Sequence, residues 1–103
     1  MAKKSRTAKI KTPIFEYSWY KEINQPETNK EFIQSKINDF ILLIENQESV
    51  NIRDMRVEFI EFTKLVPAQG HLSKLDKEYQ GKFFKITKFV KERFKPFFGA
   101  VSG

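Results

Sequence analysis

Cysteine is absent from this chain, and histidine occurs once, at His71. Disulfide scaffolds, thiolate zinc sites, cysteine nucleophiles and paired-histidine metal centres each need residues that are missing. Glycine and proline number 4 apiece, and no glycine belongs to a phosphate-cradling loop motif. No apolar run approaches the roughly 20 residues that a membrane span needs, and no apolar signal core follows the basic N-terminal stretch, so the expected location is the cytoplasm. Neither a repeat nor a low-complexity tract appears beyond that stretch. At 103 residues the chain is expected to form one body with tails rather than a multi-domain enzyme.

Large apolar side chains are plentiful. The chain holds 11 Phe, 3 Tyr and 1 Trp, enough for a sizeable core in a domain of this length. Charge is segregated along the sequence. Residues 1–11 carry Lys3, Lys4, Arg6, Lys9 and Lys11 with no acid, residues 12–66 are net acidic, and residues 67–103 hold eight bases against three acids, within a formal net charge of +6. Basic extremities around an acidic middle are the pattern left by a phosphate-facing surface, with a solvated lysine-rich face as the competing reading.

Three to four helices in an all-α bundle are expected over residues 12–95, with residues 1–11 as a flexible basic arm and 96–103 as a tail. The arm has no apolar period, repels itself and needs a partner to order. Thr12-Pro13 is placed to start a short helix carrying Phe15, Trp19 and Ile23, although Phe15, Tyr17 and Trp19 suit a strand equally well. Thr28 and Glu31 form a capping-box pattern ahead of the stripe Ile33, Ile37, Phe40, Ile41 and Ile44. Asn51 with Asp54 repeats the capping logic before Ile52, Met55, Phe59, Phe62 and Val66, and Pro67 is expected to stop that helix. A strand through residues 57–62 competes, but its alternation fails because Phe59, Ile60 and Phe62 are all apolar.

The last element separates its side chains most cleanly. Ser73 as N-cap and Asp76 three residues on predict a helix running to Phe94 or Lys95, ended by Pro96. On a wheel of about 100° per residue, Leu75, Tyr79, Phe83, Ile86, Val90, Phe94 and Phe97 share one arc, while Lys74, Lys77, Lys85, Lys88 and Lys95 share the opposite one. Gly81 is the weak point. Phe84 and Phe89 leave the apolar arc and flank the lysines, as rings that either stack on nucleic-acid bases or pack against neighbouring helices.

Catalytic residues are not found. His71, in a loop after Gly70, reads as an ordinary polar residue, since it has no second ligand to share a metal. Glu58 and Glu61 beside Asp54 read as solvated acids with Arg53 and Arg56 as salt partners, since no nucleophile motif or ligand cluster accompanies them. A non-enzyme is therefore expected, with no cofactor, no metal and no small-molecule substrate. The basic amphipathic helix also resembles a membrane-surface helix, but its aromatic face has other helices to pack on, so no membrane partner is expected.

Three strings carry a family resemblance: Ser35-Lys36-Ile37 leading into an apolar helix, Met55-Arg56-Val57-Glu58-Phe59 in the next, and Phe97-Phe98-Gly99 closing the terminal aromatic stretch. In order, size and basic character they resemble the small helical subunit of Csm-type (type III) CRISPR effectors, over residues 32–99. The resemblance implies a helical bundle without activity of its own, one of several copies along a guide-RNA complex of antiviral defence, with Lys36 and Arg56 as backbone contacts. The shortness of this chain and its aromatic segment 15–20 depart from that pattern.

The expected function is non-enzymatic binding of RNA or single-stranded DNA as a subunit of a larger complex, with little base readout. Its candidate residues are Lys74, Lys77, Lys85, Lys88, Lys95, Lys36, Arg53, Arg56, Lys3, Lys4 and Arg6, with Phe84 and Phe89 for stacking. The rival is a protein-interaction module, such as a phage-encoded antagonist or an assembly factor, docking an acidic partner. Removal of residues 1–11 is expected to leave the melting temperature nearly unchanged, because an unpaired basic tail buries no area, while lowering affinity for oligonucleotides. A large fall in melting temperature would place the arm within the fold.

Overall fold

The computed structural model describes Pro13 and residues 15–94, and in that span the protein is a small all-α bundle. Its helices are α1 (Ser18–Ile23), α2 (Lys30–Glu45), α3 (Arg56–Ala68) and α4 (Lys77–Arg93), with 3-10 turns at Ile52–Met55 and Leu72–Lys74. No strand occurs among the described residues, so the strand alternatives do not form in 52–66 or in the described part of 12–24. The basic arm, Thr12, Lys95, Phe97 and the tail 96–103 lie outside the described residues.

Local chemistry sets the helix ends, at places slightly different from those expected. The cap of α2 is Asn29 rather than Thr28: the Asn29 side chain accepts from the Glu31 amide at 2.6 Å. Thr28 instead donates its hydroxyl to the carbonyls of Gln25 (2.7 Å) and Glu22, tying down the turn after α1. Asn51 makes no side-chain cap, and the segment behind it spends its first turn as a 3-10 helix before α3 begins. Pro67 does not stop α3 but lies inside its last turn, where a missing N–H forfeits a single intrahelical bond. The stop is Gly70, with φ +75°. Its amide donates to Pro67 O at 3.0 Å and the His71 amide to Val66 O at 3.1 Å, the paired bonds of a Schellman end that a left-handed glycine permits.

The expected single helix from Ser73 is also divided. Leu72–Lys74 is a 3-10 turn, and α4 starts only after Asp76, whose backbone is extended. Asp76 is held from α2: its amide donates to Gln34 Oε1 at 2.9 Å, and its carboxylate pairs with Lys30 at 3.1 Å. Lys74 is therefore displaced from the helix that carries the other lysines.

The core is a cluster of rings. Phe40 of α2 lies 4.7 Å from Phe59 and 4.6 Å from Phe62, centroid to centroid. Phe62 in turn lies 5.6 Å from Trp19 of α1 and 5.7 Å from Phe83 of α4. Ile33, Ile37, Ile52, Val66, Ile86 and Val90 close around them. Within the expected stripes Ile44, Met55 and Tyr79 are only half-buried, while Leu43 and Tyr20, outside them, are buried.

His71 is a correction of substance. It is 2% exposed, and its Nε2–H donates to the carbonyl of Ile23 at 3.0 Å. A carbonyl at the end of a helix has no intrahelical donor, so this ring satisfies the end of α1 and ties it to the loop after α3. Glu58 and Glu61 likewise are not freely solvated. Both are half-buried, and Glu61 pairs with Lys64 at 3.7 Å.

Along the seam of α1 with α3, the buried Tyr20 hydroxyl, Trp19 Nε1 and Glu58 Oε1 have no hydrogen-bond partner. Burial, then the carboxylates of Glu58 and Glu61, then Tyr17, all disfavour the Tyr20 phenolate and push its pKa far above the ordinary tyrosine value. Folded Tyr20 thus keeps its proton longer than unfolded tyrosine does. Its contribution is full below about pH 10 and is lost as pH rises beyond that. Tyr20→Phe removes an unpartnered hydroxyl, so urea titrations are expected to show stability kept or raised at neutral pH and a flatter decline above about pH 10. A clear loss at pH 7 would mean that the hydroxyl is partnered.

Two adjacent residues test the packing of α4. Phe83 is 2% exposed and Phe84 58%. Phe83→Ala is expected to lose about 3–5 kcal/mol, a large part of a domain stability of about 5–15 kcal/mol. Phe84→Ala should stay within about 0.5 kcal/mol of the parent. Equal effects would show that the helix is rotated from its described phase.

Candidate nucleic-acid interface

Seventeen residues make α4, and its inner face is committed by Phe83, Ile86 and Val90. Rotation about the helix axis is thereby set. Lys77, Gly81, Lys85 and Lys88, spaced four, four and three apart, are all exposed on the opposite face. Phe84 and Lys91 form the shoulder of that face, seven residues apart and so nearly in line.

None of Lys77, Lys85, Lys88 and Lys91 is among the ion pairs of the described residues, which join Lys30 to Asp76, Lys64 to Glu61 and Lys82 to Glu78. Lys82, on the side toward α2, is occupied. Its ammonium lies 3.3 Å from Glu78, 3.4 Å from Asn38 Oδ1 and 4.8 Å from the centre of the Tyr79 ring. The lysines facing outward therefore keep their charge for an external partner, and they present ammonium groups along more than two turns of one rigid helix.

Phe84, Thr87, Lys88, Lys91 and Glu92 line a groove of about 340 Å³. Phe84 contributes its ring edge-on to Phe83, at 6.5 Å and 70°. The matching expectation for Phe89 does not hold. Phe89 is half-buried and packs on Phe59 at 5.5 Å and on Phe94 at 6.2 Å, so its ring serves the core and is not offered for stacking.

The other expected residues do not gather at one place. Lys74 is exposed in the 3-10 turn before α4, and Arg53 and Arg56 are exposed at the start of α3 and the turn before it. Lys36 is half-buried on α2, with its ammonium 5.0 Å from the centre of the Phe15 ring and 5.5 Å from that of Phe32. It lines a separate groove with Glu16, Ser18, Trp19, Glu22 and Phe32, where a cation over two rings holds Phe15, ahead of α1, against α2. Burial pushes the Asp39 carboxyl above its ordinary pKa, and the Lys36 charge pulls it back down. Lys95, Lys3, Lys4 and Arg6 lie outside the described residues. Sequence reasoning passed over Lys91, although the wheel sets it at about 20° from Phe84, on the same shoulder.

No group of three or more His, Cys, Asp or Glu side chains is placed to hold a metal among the described residues, and no described helix is long and apolar enough to cross a membrane. Comparisons with protein-family models, with curated proteins and with solved structures find no match to this chain.

Proposed function

We propose that this protein is a non-enzymatic nucleic-acid-binding protein whose outer α4 face grips the phosphate backbone. The observation that carries the reading is the row Lys77, Lys85, Lys88 and Lys91, exposed on one side of a helix whose other side is locked into the core. Four ammonium groups without described carboxylate partners attract a polyanion strongly, because each phosphate contact releases condensed counterions. Lysine binds as a point charge rather than a geometric fork, so the grip is on charge and carries little sequence information. Service as a small subunit of a ribonucleoprotein is the finer reading, supported by the compact helical form, the basic surface and the resemblance to Csm-type small subunits over residues 32–99.

A second reading has its own observation. Phe84 at 58% exposed and Val57 at 51% are apolar surfaces among charges, which also suit an acidic protein partner. Both partners respond to salt, but only the first includes random oligonucleotides.

Affinity for a mixed-sequence single strand is expected to fall steeply with salt, with log K dropping by roughly 0.7 per phosphate contact for each decade of salt, hence by about 3 for four contacts. Lys85→Glu and Lys88→Glu together should abolish filter binding while circular dichroism stays unchanged and stability moves by no more than about 0.5 kcal/mol. A flat salt response, or wild-type binding by the double reversal, would remove the α4 face as the functional surface.

A further inference from the structure

We infer that the outer face of α4 selects single-stranded over double-stranded nucleic acid, by stacking an unpaired base on Phe84 beside the bare turn at Gly81. The inference rests on the phosphate-binding reading above and adds to it the form of the strand.

One exposed phenylalanine on a surface is ordinary and by itself signifies nothing. Here three features coincide. Phe84 leaves 58% of its surface to solvent on the flank of the basic face. Gly81 stands three residues before it on the same helix surface, exposed, and a Cβ built there would meet nothing within 4 Å beyond its chain neighbours and the backbone of its own helix. No packing constraint thus calls for glycine, which in a helix interior is the least favourable residue after proline. Side chains on a helix lean toward the preceding turn, so the surface onto which Phe84 leans is the one that Gly81 leaves bare. The ring also lines the groove shared with Thr87, Lys88 and Lys91. Apolar ring surface is thus open to solvent, and the lysines Lys88 and Lys91 stand one and two turns further along the helix.

A base in a duplex has both faces covered by its neighbours, so a duplex meets only the lysines. An unpaired base exposes its face to the ring while its phosphates reach Lys88 and Lys91. Stacking is tolerant of base identity, since every base has a π-face, which agrees with a site lacking bidentate base readers. Glu92 also lines the groove, and its negative charge disfavours phosphates at its own position.

The test compares three RNA probes on the full chain at fixed salt: a short mixed-sequence strand, the same strand made abasic at every position, and a duplex of the same sequence. The abasic strand retains the phosphates and lacks the π-faces. The intact strand is expected to bind tighter than the abasic strand by roughly fivefold to a hundredfold, the range of one base–aromatic stack. Phe84→Leu, which keeps an apolar side chain without a π-face, should remove that advantage while leaving the salt dependence and the melting temperature unchanged. Gly81→Leu fills the open turn with a better helix former, and should raise the melting temperature yet weaken the intact strand and not the abasic one. Equal binding of intact and abasic strands, duplex binding as tight as that of the intact strand, or wild-type preference in Phe84→Leu, overturns the stacking inference and leaves the phosphate reading standing. Absence of salt-dependent binding to any probe, or binding confined to a polyglutamate competitor, overturns both and favours the acidic protein partner.

Discussion

The bundle depends on the ring of Phe62. From α3 it reaches Trp19 of α1, Phe40 of α2 and Phe83 of α4, all at centroid distances of 4.6–5.7 Å. One side chain thus touches every other helix. Rings prefer tilted and edge-on arrangements to a flat sandwich, so each contact restrains orientation as well as distance. Because Phe83 must meet Phe62, α4 has one rotational phase, and that phase turns Lys77, Lys85, Lys88 and Lys91 to solvent. The basic face is thus a consequence of how the core is closed.

Around that hub, polar groups work as ties between chain-distant segments. His71 donates to the last carbonyl of α1, and Gln34 and Lys30 hold Asp76 at the start of α4. Each joins elements more than forty residues apart in the chain, so loss of one tie loosens a helix end without opening the centre. The α1–α3 seam has the opposite character. Its buried hydroxyl, indole N–H and carboxylate oxygen lack partners, and an unmade buried hydrogen bond is costlier than a made one is helpful. The six residues of α1 are held against that polar penalty by burial of Trp19, Tyr20 and Ile23 and by the His71 tie.

The charge segregation seen along the chain has a counterpart in the fold. Acids of the middle segment gather in part at the α1–α3 seam, where Glu58 and Glu61 act on Tyr20. Of the two exposed acids of α4, Glu78 pairs with Lys82 at 3.3 Å and Glu92 lines the Phe84 groove. An excess of positive charge on one face favours approach of a polyanion in one orientation, and the exposed ring of Phe84 offers a second, short-range contact once it has arrived.

Helical periodicity, because it reflects a face that must be buried, was legible from the sequence: Ile33, Ile37, Phe40 and Ile41, then Ile52, Phe59, Phe62 and Val66, then Leu75, Phe83, Ile86, Val90 and Phe94 are all buried. The outward position of Lys77, Lys85 and Lys88 follows from the same periodicity. Helix ends were less legible, since competing caps lie one residue apart. Asn29 displaced Thr28, and Gly70 rather than Pro67 ended α3, through hydrogen bonds that local patterns do not rank. Three decisions belonged to the tertiary structure alone. Burial of His71 needs the end of α1 beside it, and the break at Asp76 needs Gln34 and Lys30 from α2. The different fates of Phe84 and Phe89 need Phe59, which covers one ring and not the other. A wheel gives the angle of a side chain about its own axis, but only the packed neighbour determines whether anything stands at that angle.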